Sequence, residues 1–233
     1  MKIRIKFSKT GHLKYIGHLD IMRCFQKVMR RAEVDIAYSA GFSPHQIMSF
    51  ASPLGLGLTS EGEYVDIEVL STESSEIMLQ KINAVMVEGL QALRYVKLPD
   101  HAKTAMSVVA AADYCVTFDQ PAAEDVRAEF EKFLSRDSIV ITKKTKKSEV
   151  EMDIRPLIYK ASLEGQKLFL QVSAGSAANL KPEQVLETFF KICGISPQEL
   201  PYHVHRLEMY ANLAKEGQKR RLIPLEGMGE AIV

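Results

Sequence analysis

The sequence predicts an α+β protein built of two tandem ferredoxin-like (βαββαβ) units with antiparallel sheets. Two observations carry that reading. Residues 2–7 (KIRIKF) and 63–70 (EYVDIEVL) alternate strictly, which is the period of a strand with one buried face. Residues 18–33 instead carry apolar side chains at three- and four-residue spacings, the period of an amphipathic helix. The order strand–helix–strand–strand–helix–strand fills residues 1–99 and is repeated loosely over 107–212, leaving 213–233 as a tail. A chain of 233 residues is long enough for two such domains.

The elements follow in order. In residues 2–7, Ile3, Ile5 and Phe7 share the core face and Lys2, Arg4 and Lys6 the other. In the first helix, Ile21, Cys24, Phe25, Val28, Met29 and Ala32 form one apolar stripe, and Asp20 favours the helix dipole from the first turn. A short strand is expected over 34–39. Residues 39–62 are rich in Gly, Ser and Pro and read as irregular. After the strand at 63–70, Ser74 or Ser75 caps a helix running to about Glu88, with Met78, Ile82, Val85 and Met86 inward and Gly89 as its stop. A strand over 92–98 ends at Pro99-Asp100.

The second unit opens with a strand at 108–118. A helix follows over 121–135, with Val126, Phe130, Phe133 and Leu134 inward. Strands are expected at 138–144, 149–163 and 167–174. Pro182, suited to a first helical turn, opens a helix to about Cys193, and a strand closes at 203–211. The tail has few periodic apolar positions and reads as mobile or docking.

Bulk properties exclude several classes. No run of eighteen apolar residues exists, so no transmembrane helix is expected. The alternating basic start lacks the continuous apolar stretch of a signal peptide. Cys24, Cys115 and Cys193 are far apart and form no C-x-x-C pair. They read as buried free thiols, with neither a zinc nor an iron–sulfur site and no cofactor. A cytoplasmic setting follows.

The net charge of +1 hides an asymmetry. Residues 1–32 hold Lys2, Arg4, Lys6, Lys9, Lys14, Arg23, Lys27, Arg30 and Arg31 against Asp20 alone. Such a local field is where an anionic partner docks. On the helix, Asp20, Arg23, Lys27 and Arg30 or Arg31 recur at three- and four-residue spacing, opposite the apolar stripe. The adjoining segment brings Lys9, His12, Lys14 and Tyr15. Cations that track a backbone, with aromatic faces for stacking, are what single-stranded nucleic acid requires. Tyr15, Tyr38 and Phe42 are the stacking candidates. In the loop, Gly41, Gly55, Gly57 and Gly62 allow close backbone approach, and exposed N–H groups there suit phosphates. Nothing in it is a Walker or Rossmann fingerprint. The lysine run KKTKKSE at 143–149 extends the same track.

His18, Asp20 and His45 are the candidate acid–base groups. No metal site is expected, because the two-residue spacing of His18 and Asp20 does not place both on one helical face. No nucleophile is fixed by any of these patterns.

Residues 17–69, GHLDIMRCFQKVMRRAEVDIAYSAGFSPHQIMSFASPLGLGLTSEGEYVDIEV, resemble a radical-SAM-linked family of uncharacterised bacterial proteins. The positions that carry the resemblance are His18, Leu19, Asp20, Arg31, Ser39, Gly41, Phe42, Pro44, Leu54, Gly57, Glu63 and Asp66. Gly17 stands where the family has serine, and Gln46 where it has proline. Members occur as separate chains of this size or fused behind a B12-binding-type radical SAM protein. The resemblance implies a separate radical SAM enzyme as partner, with this chain presenting an RNA substrate. Tandem ferredoxin-like units are also similar to CRISPR-repeat endonucleases and pseudouridine synthases, at the level of fold alone. The expected function is therefore that of an RNA-binding accessory protein in RNA modification. The alternatives are an RNA-processing or RNA-modifying enzyme using the His/Asp groups, and a protein-interaction module.

Overall fold

The computed structural model describes residues 1–121, 124–144, 149–215 and 217–233. It is a mixed α/β structure with a mostly antiparallel sheet. Two compact units are present: Met1–Ala110 with Arg206–Val233, and Ala111–His205.

The first unit contains β1 (Lys2–Lys9), α1 (His18–Arg31), β2 (Met48–Phe50), β3 (Thr59–Glu68), α2 (Ser75–Val85), β4 (Leu90–Lys97) and a short α3 (Ala105–Val108). The end of β10 (Tyr202–Asn212) and β11 (Leu222–Pro224) complete it. Its strand order is β4-β1-β3-β10, with β2 also on β3 and β11 on β10. Alternation in β1 works as expected: Ile3, Ile5 and Phe7 are buried against Ile21, Phe25, Val28 and Met29 of α1. The rings of Phe7, Phe25 and Phe50 meet at 4.6 to 6.0 Å, a tilted and edge-on arrangement that suits aromatic quadrupoles. Ser74 caps α2 through the Ile77 N–H. Gly62 marks a close approach of β3 to β10, since a Cβ there would lie 2.6 Å from the Glu208 Cα.

Two expectations for this unit change. Residues 34–39 make only the bridges Ile36–Val69 and Tyr38–Gln46. Met48–Phe50 takes the edge of β3 instead, opposite Ile67–Val65. The C-terminal segment, read as a mobile or docking tail, lies with this unit. Leu225 is buried, its carbonyl accepts from Arg4 Nη1 at 3.0 Å, and Lys97 and Glu230 exchange backbone hydrogen bonds. Residues 99–107 lie with this unit too, the Ala105 N–H donating to Asp66 at 2.7 Å.

The second unit contains β5 (Val109–Phe118) from Ala111 onward, α4 (Glu124–Leu134), β6 (Val140–Lys144), β7 (Glu149–Asp153), β8 (Ile158–Glu164), β9 (Lys167–Ser173) and α5 (Pro182–Cys193). The strands β5, β9 and β8 pair antiparallel in that order, while β6 and β7 form a separate two-stranded sheet. Phe130, Phe133, Phe189 and Phe190 join α4 to α5 in one buried aromatic cluster. Residues 145–148, the middle of the lysine run, lie outside the described residues. The three cysteines are free thiols; Cys115 is buried and the other two half-buried.

Candidate nucleic-acid interface

The apolar stripe of α1 turns its polar face outward. Arg23, Lys27, Arg30 and Arg31 are exposed along it. Arg23 pairs with Asp20 at 3.2 Å, both side chains well exposed, an interaction that solvent screens to little net energy. Lys27, Arg30 and Arg31 form no ion pair among the described residues, and Arg30 Nε donates to the Gln26 carbonyl. The carboxylates of Glu63 and Asp66 are committed elsewhere, to Arg206 and Arg4.

Exposed apolar side chains flank this face. Tyr15 is 65% exposed and Phe42 wholly so, with Leu19, Tyr38 and Leu56 also in solvent. Lys14 Nζ stands over the Tyr15 ring at 5.1 Å, a cation–π contact. The loop that carries Phe42 is closed at its base. Tyr38 bridges Gln46, the Ser39 N–H donates to the His45 carbonyl at 2.8 Å, and Gln46 Nε2 donates to the Gln26 carbonyl of α1. Gly41, at φ 111°, makes the turn that sets Phe42 at the tip. Gly57, at φ 84°, brings its N–H to the Lys14 carbonyl at 2.8 Å, so the loop at 55–57 is fastened to the segment bearing Tyr15. Gly55 lies beside it, exposed.

The acid–base candidates do not form a joined set. His18 packs its ring edge-on against Phe50 at 5.2 Å. Asp20 turns outward to Arg23. His45 Nδ1 lies 2.8 Å from Ser39 Oγ, which also accepts the His45 N–H. No hydrogen bond links the three among the described residues.

Lys9, expected on the basic surface, is instead 3% exposed. Its parity explains this: Lys9 falls in step with Ile3, Ile5 and Phe7, on the face that α1 covers. Its ammonium donates to the Ile16 carbonyl at 2.8 Å. Burial pushes it below the ordinary lysine value; Glu63 opposes that shift and Arg206 adds to it. Glu63 itself is gripped by Arg206 at 2.5 to 2.8 Å, and Arg206 also donates to the Ser52 carbonyl. The sequence pattern of basic residues does not single out this pair. A signal is nonetheless present, because Glu63 has the parity of Val65 and Ile67, an inward carboxylate that requires a cation.

Arg4 and Lys6 are also withdrawn from the basic surface. Arg4 is fully buried, with Nε and Nη2 on Asp66 at 2.7 and 2.9 Å. Lys6 binds Glu208 at 2.5 Å and Glu226 at 3.1 Å, and the Tyr64 hydroxyl lies within hydrogen-bond reach of both carboxylates, with one proton to donate between them. Burial opposes the Lys6 charge, but the two carboxylates more than offset it and raise its pKa.

The model of a bacterial family, described as "uncharacterized protein conserved in bacteria (DUF2344)", matches residues 2–182. The chain belongs to this family. The match spans β1 to the start of α5, and so includes α1 and both flanking loops of the DUF2344 protein. No curated protein matches it. Among solved structures, it is similar to a chain of "Crystal Structure of a Cbf5-Nop10-Gar1 Complex", at 10% identity and a TM-score of 0.46, covering 89% of this chain and 48% of that one. It is also similar to a chain of "Crystal structure of the archaeal box H/ACA sRNP Nop10-Cbf5 complex", at 10% identity and 0.42, covering 88% and 46%. The chain thus spans about half the length of these solved chains. No helix among the described residues is long and apolar enough to cross a membrane.

Proposed function

We propose that this DUF2344 protein binds RNA across the outer face of α1, as an accessory to a separate radical SAM enzyme in RNA modification. The observation that carries the RNA reading is the combination of exposed Arg23, Lys27, Arg30 and Arg31 with exposed Tyr15 and Phe42 at the flanks. The cations suit a phosphate backbone and the rings suit unstacked bases. Among the described residues the ion pair on this face is that of Arg23 with Asp20, and Lys27, Arg30 and Arg31 form none. The radical SAM partner rests on the sequence resemblance alone. We read both units as ferredoxin-like, the β6–β7 hairpin being an insertion in the second; the strand orders support that reading. The separate local partners of His18, Asp20 and His45 favour holding RNA over acid–base chemistry on it.

The test is binding of bulk tRNA at low salt by the intact protein and by its Arg23→Glu/Lys27→Glu/Arg31→Glu variant. Reversing three exposed charges is expected to weaken binding by roughly a hundredfold while leaving the circular dichroism spectrum unchanged. Equal affinity of both proteins would overturn the reading.

A further inference from the structure

The two exposed rings beside α1 are not equivalent. Tyr15 carries the Lys14 ammonium over one face, at 5.1 Å from the ring centre, so only its other face is left to receive a flat group. Phe42 is wholly exposed, and both faces of its ring stand in solvent. A single exposed apolar side chain is ordinary on a protein surface; what sets Phe42 apart is how it is held. The Ser39 N–H donates to the His45 carbonyl at 2.8 Å, the His45 N–H to Ser39 Oγ at 3.1 Å, and the same hydroxyl lies 2.8 Å from His45 Nδ1. Pro44 fixes one more backbone angle between them. The ring therefore stands on a short closed loop, and little ordering entropy remains to be lost when it is covered. The neighbouring charge sets what can cover it. The Gln26 carbonyl of α1 accepts from Gln46 Nε2, at the base of this loop, and from Arg30 Nε, each at 3.3 Å. The loop is thus rooted beside Arg30, at the end of the row Arg23, Lys27, Arg30, which spans about 10 Å of helix axis. A ligand that both covers a free aromatic ring and follows a row of cations is a strand with flat bases on an anionic backbone.

We propose that Phe42 is a wedge that parts two neighbouring bases of an unpaired RNA strand, while Tyr15 is a cap that receives one base. The proposal rests on the RNA reading above and names what is bound: a single-stranded stretch of about six nucleotides, within the range of single-strand sites, with one stacking step opened. The number of free faces assigns the roles. One free face takes one base; two free faces take a base each, and the stack between those bases is lost. A duplex resists such an opening because its bases are paired as well as stacked, so an unpaired strand is preferred. A base released from its stack is open to a modifying enzyme, which does not reach its target atom inside a duplex. The wedge is then this chain's contribution to modification: it unstacks the base on which a separate enzyme acts.

The test uses hexaadenylates that each carry one 2-aminopurine, at the second, third, fourth or fifth position, on the intact protein at low salt. 2-Aminopurine is dim when stacked between neighbours and bright when the stack is opened; its anisotropy reports binding. Two adjacent positions, the pair that Phe42 parts, are expected to brighten severalfold. Phe42→Ala is expected to abolish the brightening and to weaken binding about tenfold, the scale of a lost base–ring contact; Phe42→Tyr should restore both. Tyr15→Ala should weaken binding by a similar factor and leave the bright pair in place. Phe42 lies at an exposed loop tip, so its replacement is expected to leave the circular dichroism spectrum unchanged. Oligomers that bind without brightening at any position would overturn the wedge and leave the RNA reading standing, as would brightening that persists in Phe42→Ala. Oligomers that do not bind at all would end the RNA reading and the wedge with it.

Discussion

Arg4 lies under the C-terminal segment with two guanidinium nitrogens on Asp66 and a third on the Leu225 carbonyl. Asp66→Ala would leave that charge buried and unpaired. A loss of about 3–5 kcal/mol of stability is expected in urea denaturation, and Arg4→Met/Asp66→Leu should recover much of it; an unaltered midpoint for Asp66→Ala would contradict the pairing. Lys9 gives a pH signature. The unfolded chain holds its proton at the ordinary value of 10.5, the folded chain less tightly. Between the depressed folded value and 10.5 the unfolded state binds more protons, so this residue's contribution to stability rises with pH and then levels off. Lys6 runs the opposite way: its stabilisation is present below 10.5 and lost as pH climbs through its raised value. Lys9→Met is therefore expected to remove a rise in stability on the approach to pH 10.5, read by urea titration across that range. An identical pH slope in both proteins would count against the burial described for Lys9.

At the scale of elements, the approach of β3 to β10 depends on Gly62. Gly62→Ala places a methyl group 2.6 Å from the Glu208 Cα and the Leu207 carbonyl, backbone that cannot rotate away. A loss of roughly 1–3 kcal/mol is expected, visible as a lower thermal midpoint; no change would contradict the strand contact. Local pattern makes α1 legible in the sequence, because its stripe and outward cations share one period. It makes β1 and β3 legible too, through Ile3, Ile5, Phe7, Val65 and Ile67. The strand at 48–50 is not legible, since three residues show no period and Val34 with Ile36 offers a better alternation. Nor is the fate of Arg4 and Lys6. The Lys6 partners Glu208 and Glu226 lie about two hundred positions away, and alternation says which face a basic residue takes but not what covers it.

At the scale of the molecule, nine basic residues in the first thirty-two serve two purposes. Arg4 and Lys9 are buried in the first unit and Lys6 is held half-buried by Glu208 and Glu226, in the unit that residues 206–233 complete. Those on α1 remain in solvent, beside Tyr15 and Phe42. The central claim is that this remaining face holds RNA through its phosphates. It is tested most directly by the salt dependence of RNA affinity. Log affinity against log salt is expected to fall linearly for the intact protein, and the Arg23→Glu/Lys27→Glu/Arg31→Glu variant should lose about three phosphate contacts' worth of that slope, roughly 0.7 for each on a single strand. RNA binding with the same slope in both proteins, or no RNA binding by the intact protein at low salt, would contradict the account.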